Sequence, residues 1–188
     1  MESQELTKQY LDLILKENQR SAQELNISDV DILIKDIKKA KRIFFMGTGR
    51  SGLALRMAAM RLMHLGLEVF IVGDTLTPAI LEGDFLLVAS GSGTTSSVIN
   101  AVEKAIDQKA KVTGLTASLE SKLAQLANRI VFIPAATKTD FGMSASEQYA
   151  GSLFEQSVLF VFETVFMVLW KESALTKEDL WPKHANLE

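Results

Sequence analysis

Along the first forty positions apolar residues recur three and four apart, at Leu6, Tyr10, Leu13 and Ile14 and again at Ile32, Ile34 and Ile37. With a polar break at 26–28, this spacing predicts two helices within residues 3–40. Their faces are half polar, so they are expected to lie across the domain or to exchange with a neighbouring subunit. The rhythm then changes to short apolar runs at 42–46, 67–72, 85–89, 111–115 and 129–133. Helical patterns separate them, one ending at Leu65 and others at 98–109 and 118–127. Short apolar strands alternating with helices predict an α/β fold, a five-stranded parallel sheet covered on both faces. The expected order is the doubly wound, flavodoxin-like 2-1-3-4-5, in three layers.

The stretch 149–170 is the most apolar in the chain and about as long as a membrane span. Glu155 and Glu163 interrupt it and leave seven residues between them, 156–162. It is expected to be a core helix with a surplus apolar face for subunit contacts, not a bilayer segment. At 188 residues and 47% hydrophobic content, the chain suits one domain, 1–188, with a C-terminal helix and tail over 148–188.

A net charge of −3 gives no general attraction to nucleic acid or to an anionic membrane, so neither is an expected partner. There are no cysteines, which excludes disulfides, thiolate catalysis and cysteine–zinc sites. The polar N-terminus does not read as a signal peptide, and a cytoplasmic location is expected.

Two glycine-rich loops carry the candidate chemistry. Ser90-Gly91-Ser92-Gly93-Thr94-Thr95 links a strand to a helix, leaving free amides at the positive end of a helix dipole with hydroxyls beside them. No lysine follows the second glycine, unlike a nucleotide-binding P-loop, so the expected ligand is a phosphomonoester. A Ser-rich cap and turn without a ligand would use the same residues. Gly47-Thr48-Gly49-Arg50-Ser51-Gly52 fits GxGxxG after a strand, and Asp74 falls where a ribose-binding acid would sit in a dinucleotide fold. That alternative gives the hydroxyl loop no role. In the 2-1-3-4-5 order both loops flank the switch point and face one cleft. Ser90, Gly91, Ser92 and Thr95 would then hold a phosphate, and Thr48, Gly49, Arg50 and Ser51 would reach the sugar. Arg50 is either a cation for the phosphate or a developing enolate, or a surface residue of a helix's first turn.

This pair of loops resembles the sugar isomerase (SIS) domain. The strings Ala59-Met60-Arg61-Leu62-Met63-His64-Leu65-Gly66, Gly151-Ser152-Leu153-Phe154-Glu155-Gln156 and His184-Ala185-Asn186-Leu187-Glu188 are similar to the 6-phospho-3-hexuloisomerase family within it. The resemblance implies interconversion of D-arabino-hex-3-ulose 6-phosphate and fructose 6-phosphate, in the ribulose monophosphate route of formaldehyde fixation. It further implies no metal, no cofactor and a homo-oligomer, usually a tetramer. An isomerase of another sugar phosphate, or a SIS module that binds a sugar phosphate without turning it over, would share the scaffold. No motif is recognisable in 138–147.

Moving a carbonyl from C3 to C2 needs a base for the C2 proton and a proton carrier between the two oxygens. Glu155, a carboxylate in an apolar helix, is the expected base, its pKa raised by desolvation. It could instead pair with a neighbouring subunit, and Glu163 competes for the role. The only imidazoles are His64 and His184. His64 lies in the last turn of a helix before Gly66, where a cation caps favourably, and that explanation stands beside a catalytic one. Position alone makes His184 a solvated tail residue, and the family resemblance makes it catalytic, on a tail that could close over the cleft of its own or an adjacent subunit.

Overall fold

The computed structural model describes residues 3–140 and 145–187. Five parallel strands form one sheet: β1 (Ile43–Gly47), β2 (Val69–Ile71), β3 (Phe85–Ala89), β4 (Lys111–Thr116) and β5 (Arg129–Phe132). Their order is β2-β1-β3-β4-β5, the doubly wound order expected from the alternation of runs and helices. Side chains alternate across the pleat, so neighbouring residues feed different cores. Ile43, Phe45, Phe85, Leu87 and Ala89 meet helices α2 (Ile27–Lys39), α3 (Gly49–His64) and α6 (Ser152–Ser173). Phe44, Leu86 and Val88 meet α4 (Ser96–Asp107) and α5 (Lys122–Leu126) on the other face. Each buried Phe or Leu contributes about 1.5–3 kcal/mol, so both faces of the sheet are held by apolar burial.

The two N-terminal helices are α1 (Ser3–Glu24) and α2, and the Asn26 side chain caps α2 by accepting from the Ser28 amide at 3.1 Å. Only α2 enters the apolar core. α1 lies across α6 and buries polar residues, Glu17, Asn18 and Ser21, while Leu6, Tyr10, Leu11 and Leu15 stay exposed. Two elements are shorter than their patterns. β2 is a half-buried edge strand of three residues, and α5 begins only at Lys122 because Ser121 caps it, accepting from the Ala124 amide at 3.3 Å.

Among the described residues, the helical stretch Tyr149–Ser173 is long and apolar enough to cross a membrane by length and composition, and 56% of its most apolar window is buried inside the fold. Leu153, Phe154, Val158, Val161, Phe162 and Val165 face the core, while Phe160 and Met167 are exposed. A short α7 (Lys177–Leu180), closed by a capping box between Thr176 and Asp179, leads to the tail.

Candidate active site

β1 and β3 pair in register from Ile43↔Phe85 to Gly47↔Ala89, so their C-terminal loops leave the sheet side by side. The chain then turns to opposite faces, into α3 after β1 and α4 after β3. This divergence opens a crevice, as at any switch point of a doubly wound sheet. Both loops line one cavity of about 50 Å³, with Thr48 and Ser51 from the first and Ser90, Gly91, Ser92 and Thr95 from the second. Phe154 and Glu155 of α6 and the segment 136–138 complete its wall. On this scale a single water needs about 10–15 Å³, so the cavity has room for a group the size of a few waters.

Local bonds explain the loop's shape. Ser90 Oγ and Thr95 Oγ1 lie 3.0 Å apart across it, and Gly91 C=O accepts from the Ala117 amide at 3.0 Å and from Thr116 Oγ1 at 3.2 Å. Gly93 has φ +61°, and a Cβ there would stand 2.1 Å from Ser121 Oγ, so no side chain fits. The N-caps Thr48 and Thr95 make no side-chain hydrogen bond to their own helices. The first-turn amides of α3 and α4 are therefore not spent on caps, and two helix N-termini converge on one crevice.

Glu155 is buried, one turn into α6, and Arg50 donates its Nε–H to the Glu155 carboxylate. From sequence Arg50 is either a cation for a phosphate or an enolate or a surface residue of a helix's first turn; here it lies in the first turn of α3 with its side chain 66% exposed and its guanidinium on the candidate base. The first turn of α6 is tied down through α1. Asn18 Nδ2 donates to Gln156 Oε1 at 2.6 Å, Gln156 Nε2 to Gln148 Oε1 at 2.8 Å, and Gln148 Nε2 to Glu17 at 2.8 Å. Glu17 also accepts from Ser146 Oγ at 2.6 Å and from the Glu147 amide at 2.7 Å. Burial pushes the Glu17 carboxyl up, but these hydrogen bonds and the nearby Arg20 outweigh it and hold it below its ordinary value.

Other candidates stand away from the crevice. Glu163 pairs with Arg61 at 3.8 Å and does not line the cavity. Asp74 pairs with Arg56 at 2.5 Å at the surface and does not line the cavity. Gly49 starts α3 without lining the cavity. His64 is buried in the last turn of α3, 14 residues after Arg50 and therefore about 21 Å along the helix. Its ring lies 4.2 Å from that of His184, and the His184 ring lies 5.1 Å from that of Trp181. The tail is thus docked on its own α3, at the end opposite the crevice. Burial pushes the His64 imidazole below its usual value, and the charges of His184 and Arg61 push the same way.

Lys138 was not picked out by sequence reasoning, because 138–147 carries no motif. Its place after β5, at the carboxyl ends of the strands where such sheets bind ligands, was the available signal. Residues 141–144 of that segment lie outside the described residues. A larger cleft of about 240 Å³ between α1, α2 and α6 is lined mainly by Ala22, Leu25, Val30, Ile34, Val161 and Val168, and offers no cation to a phosphate. Among the described residues, no group of three or more His, Asp or Glu side chains is placed to hold a metal ion.

A hydroxyl and amide cradle at the switch point of a 2-1-3-4-5 sheet, walled by a carboxylate helix, defines a sugar isomerase class of domain, and residues 36–159 match the SIS domain family. The chain is 51% identical over 178 residues to the 3-hexulose-6-phosphate isomerase of Mycobacterium gastri, covering 95% of this chain and 89% of that protein. It is 38% identical to the enzyme of the same name from Bacillus subtilis, over 97% of this chain and 99% of that one. A crystal structure from Methanococcus jannaschii, described as inferring a function of 3-hexulose-6-phosphate isomerase, superposes with a TM-score of 0.81 at 28% identity, covering 96% of this chain and 99% of that one. The protein belongs to the SIS family and, within it, to the 3-hexulose-6-phosphate isomerases.

Proposed function

We propose that this protein interconverts D-arabino-hex-3-ulose 6-phosphate and fructose 6-phosphate through a cis-enediolate. The observation that carries the reading is the buried carboxylate of Glu155 on the wall of a cavity lined by the hydroxyl residues Ser51, Ser90, Ser92 and Thr95. With the phosphate on the 90–95 loop, the sugar carbons extend towards Glu155. The carboxylate takes the C2 proton of the 3-ketose, the C3 carbonyl becomes the enediolate oxygen, and the same proton or a solvent proton returns to C3 as O2 becomes the new carbonyl. Oxidation at C2 balances reduction at C3, so the reaction as written consumes no co-reactant. Arg50, the partner of Glu155, neutralises that carboxylate between turnovers and is the cation that follows the negative charge onto the enediolate.

The proton exchange between O2 and O3 falls to His64 and His184, and for this the site needs a second copy of the chain. In one chain both imidazoles lie at the far end of α3. Between Arg50 and His64 that helix exposes Leu53, Met57 and Met60, a stripe at helical spacing. Two copies packed antiparallel along this stripe across a two-fold axis set the His64–His184 end of one against the Arg50–Glu155 end of the other. A tetramer is two such pairs. We place the enzyme in the cytoplasm, with a sugar phosphate as its ligand and neither nucleic acid nor membrane as a partner.

The test is solvent-deuterium incorporation into fructose 6-phosphate by the metal-stripped protein. Exchange at C3, with the appearance of the 3-ketose, is the expected result. Binding of fructose 6-phosphate with no exchange would reduce the protein to a sugar-phosphate-binding module.

A further inference from the structure

A phosphate monoester brings close to two negative charges into this crevice, and the charge balance around it is incomplete. The residues of the 90–95 loop are neutral. Arg50 is engaged by Glu155, so that pair contributes no net positive charge. The chain as a whole carries −3. Amides and hydroxyls orient a phosphate, but holding it beside a buried carboxylate calls for a cation.

The segment after β5 supplies one. Lys138 lines the same cavity as Ser90, Ser92 and Thr95, on the wall formed with Gly151. Its Cγ lies 3.6 Å from where a Cβ on Gly151 would be, ordinary contact distance, so its stem runs beside the turn into α6. Lys138 is exposed, and it forms no ion pair among the described residues. A lysine is a compact charge on a flexible stem, free in solvent until an anion enters.

We propose that Lys138 is a substrate-binding residue that supplies the counter-charge to the phosphate and so selects phosphorylated over free ketoses. The assignment rests on the proposed phosphate cavity and adds to it the residue that reads the charge.

The experiment compares the full-length protein with Lys138→Met and Lys138→Arg, reading kcat, KM and competitive inhibition by inorganic phosphate. Loss of one charge-assisted contact is expected to raise KM and the phosphate inhibition constant about 10- to 100-fold in Lys138→Met, with kcat changed less than about threefold. Lys138→Arg should recover most of the loss. Raising ionic strength should weaken phosphate inhibition of the wild type more than that of Lys138→Met. Unchanged KM and phosphate inhibition in Lys138→Met, in a protein that isomerises its substrate, overturn the assignment and leave the isomerase reading intact. A wild type that binds phosphate calorimetrically in a Lys138-dependent way, yet exchanges no deuterium, overturns the isomerase reading and leaves Lys138 assigned.

Discussion

The imidazoles of His64 and His184 stand 4.2 Å apart, joining the tail of the chain to the last turn of α3. Burial and the neighbouring charges hold His64 below its unfolded value near 6.5, so the unfolded chain binds more protons than the native one as the pH drops through that value. Stability from this contact is therefore complete above about pH 6.5 and falls as the solution is acidified. Urea unfolding at pH 7.5 and 5.5 should give a lower midpoint at 5.5, and His64→Gln should flatten the difference. Glu17 also sits below its ordinary value, as does Asp84 just before β3, where burial pushes its carboxyl up but hydrogen bonds from Arg42 and the Leu81 amide outweigh it; both contributions fail only as the pH falls through the carboxylate range, outside this window.

Glu155→Gln keeps an acceptor for the Arg50 hydrogen bond and loses the base. The expected outcome is a fall in kcat of about 10²- to 10⁴-fold with near-native thermal stability. Inhibition by inorganic phosphate should be retained, since the 90–95 loop is untouched. Steady-state kinetics on the purified variant would check both, and near-wild-type turnover would remove Glu155 from the mechanism.

The sheet was legible because its strands are short, apolar and separated by helical periods. The crevice was legible because two glycine-rich loops follow the strands that a 2-1-3-4-5 order makes neighbours. Other features depend on distance through space. Nothing local marks Arg50 as the partner of Glu155, 105 residues away. Glu17 looks like one more polar residue on a surface helix, yet it is buried against 146–148 because three donors converge on it. The sequence strings that bring His64 and His184 together in a family say nothing of where in one chain they lie; helix length decides that.

Gly52 is the third glycine of the first loop, and a Cβ there would lie 2.5 Å from the carbonyl oxygen of Gly47. The start of α3 packs directly on the end of β1, so Gly52→Ala forces backbone apart and should cost about 1–3 kcal/mol. Gly49 has φ +56° with nothing within 4 Å of a Cβ, so Gly49→Ala should cost about 1–2 kcal/mol through backbone strain alone. Denaturant midpoints of the two variants would rank them, and an unperturbed Gly52→Ala would contradict the close approach.

The proposed division of labour between copies can be tested without a structure of the assembly. Glu155→Gln and His184→Ala should each be nearly inactive alone, the first lacking its base and the second its proton carrier. In co-refolded equal mixtures, a site that takes Glu155 from one chain and His184 from the other is intact whenever the first comes from the His184→Ala chain and the second from the Glu155→Gln chain. Random assembly makes about a quarter of the sites of that kind, so activity should rise to about a quarter of wild type. If both residues served the same chain's site, every site would lack one of them and mixing would restore nothing. The distance along α3 argues for restoration, because a tail docked at His64 is about 21 Å from its own Glu155 partner Arg50.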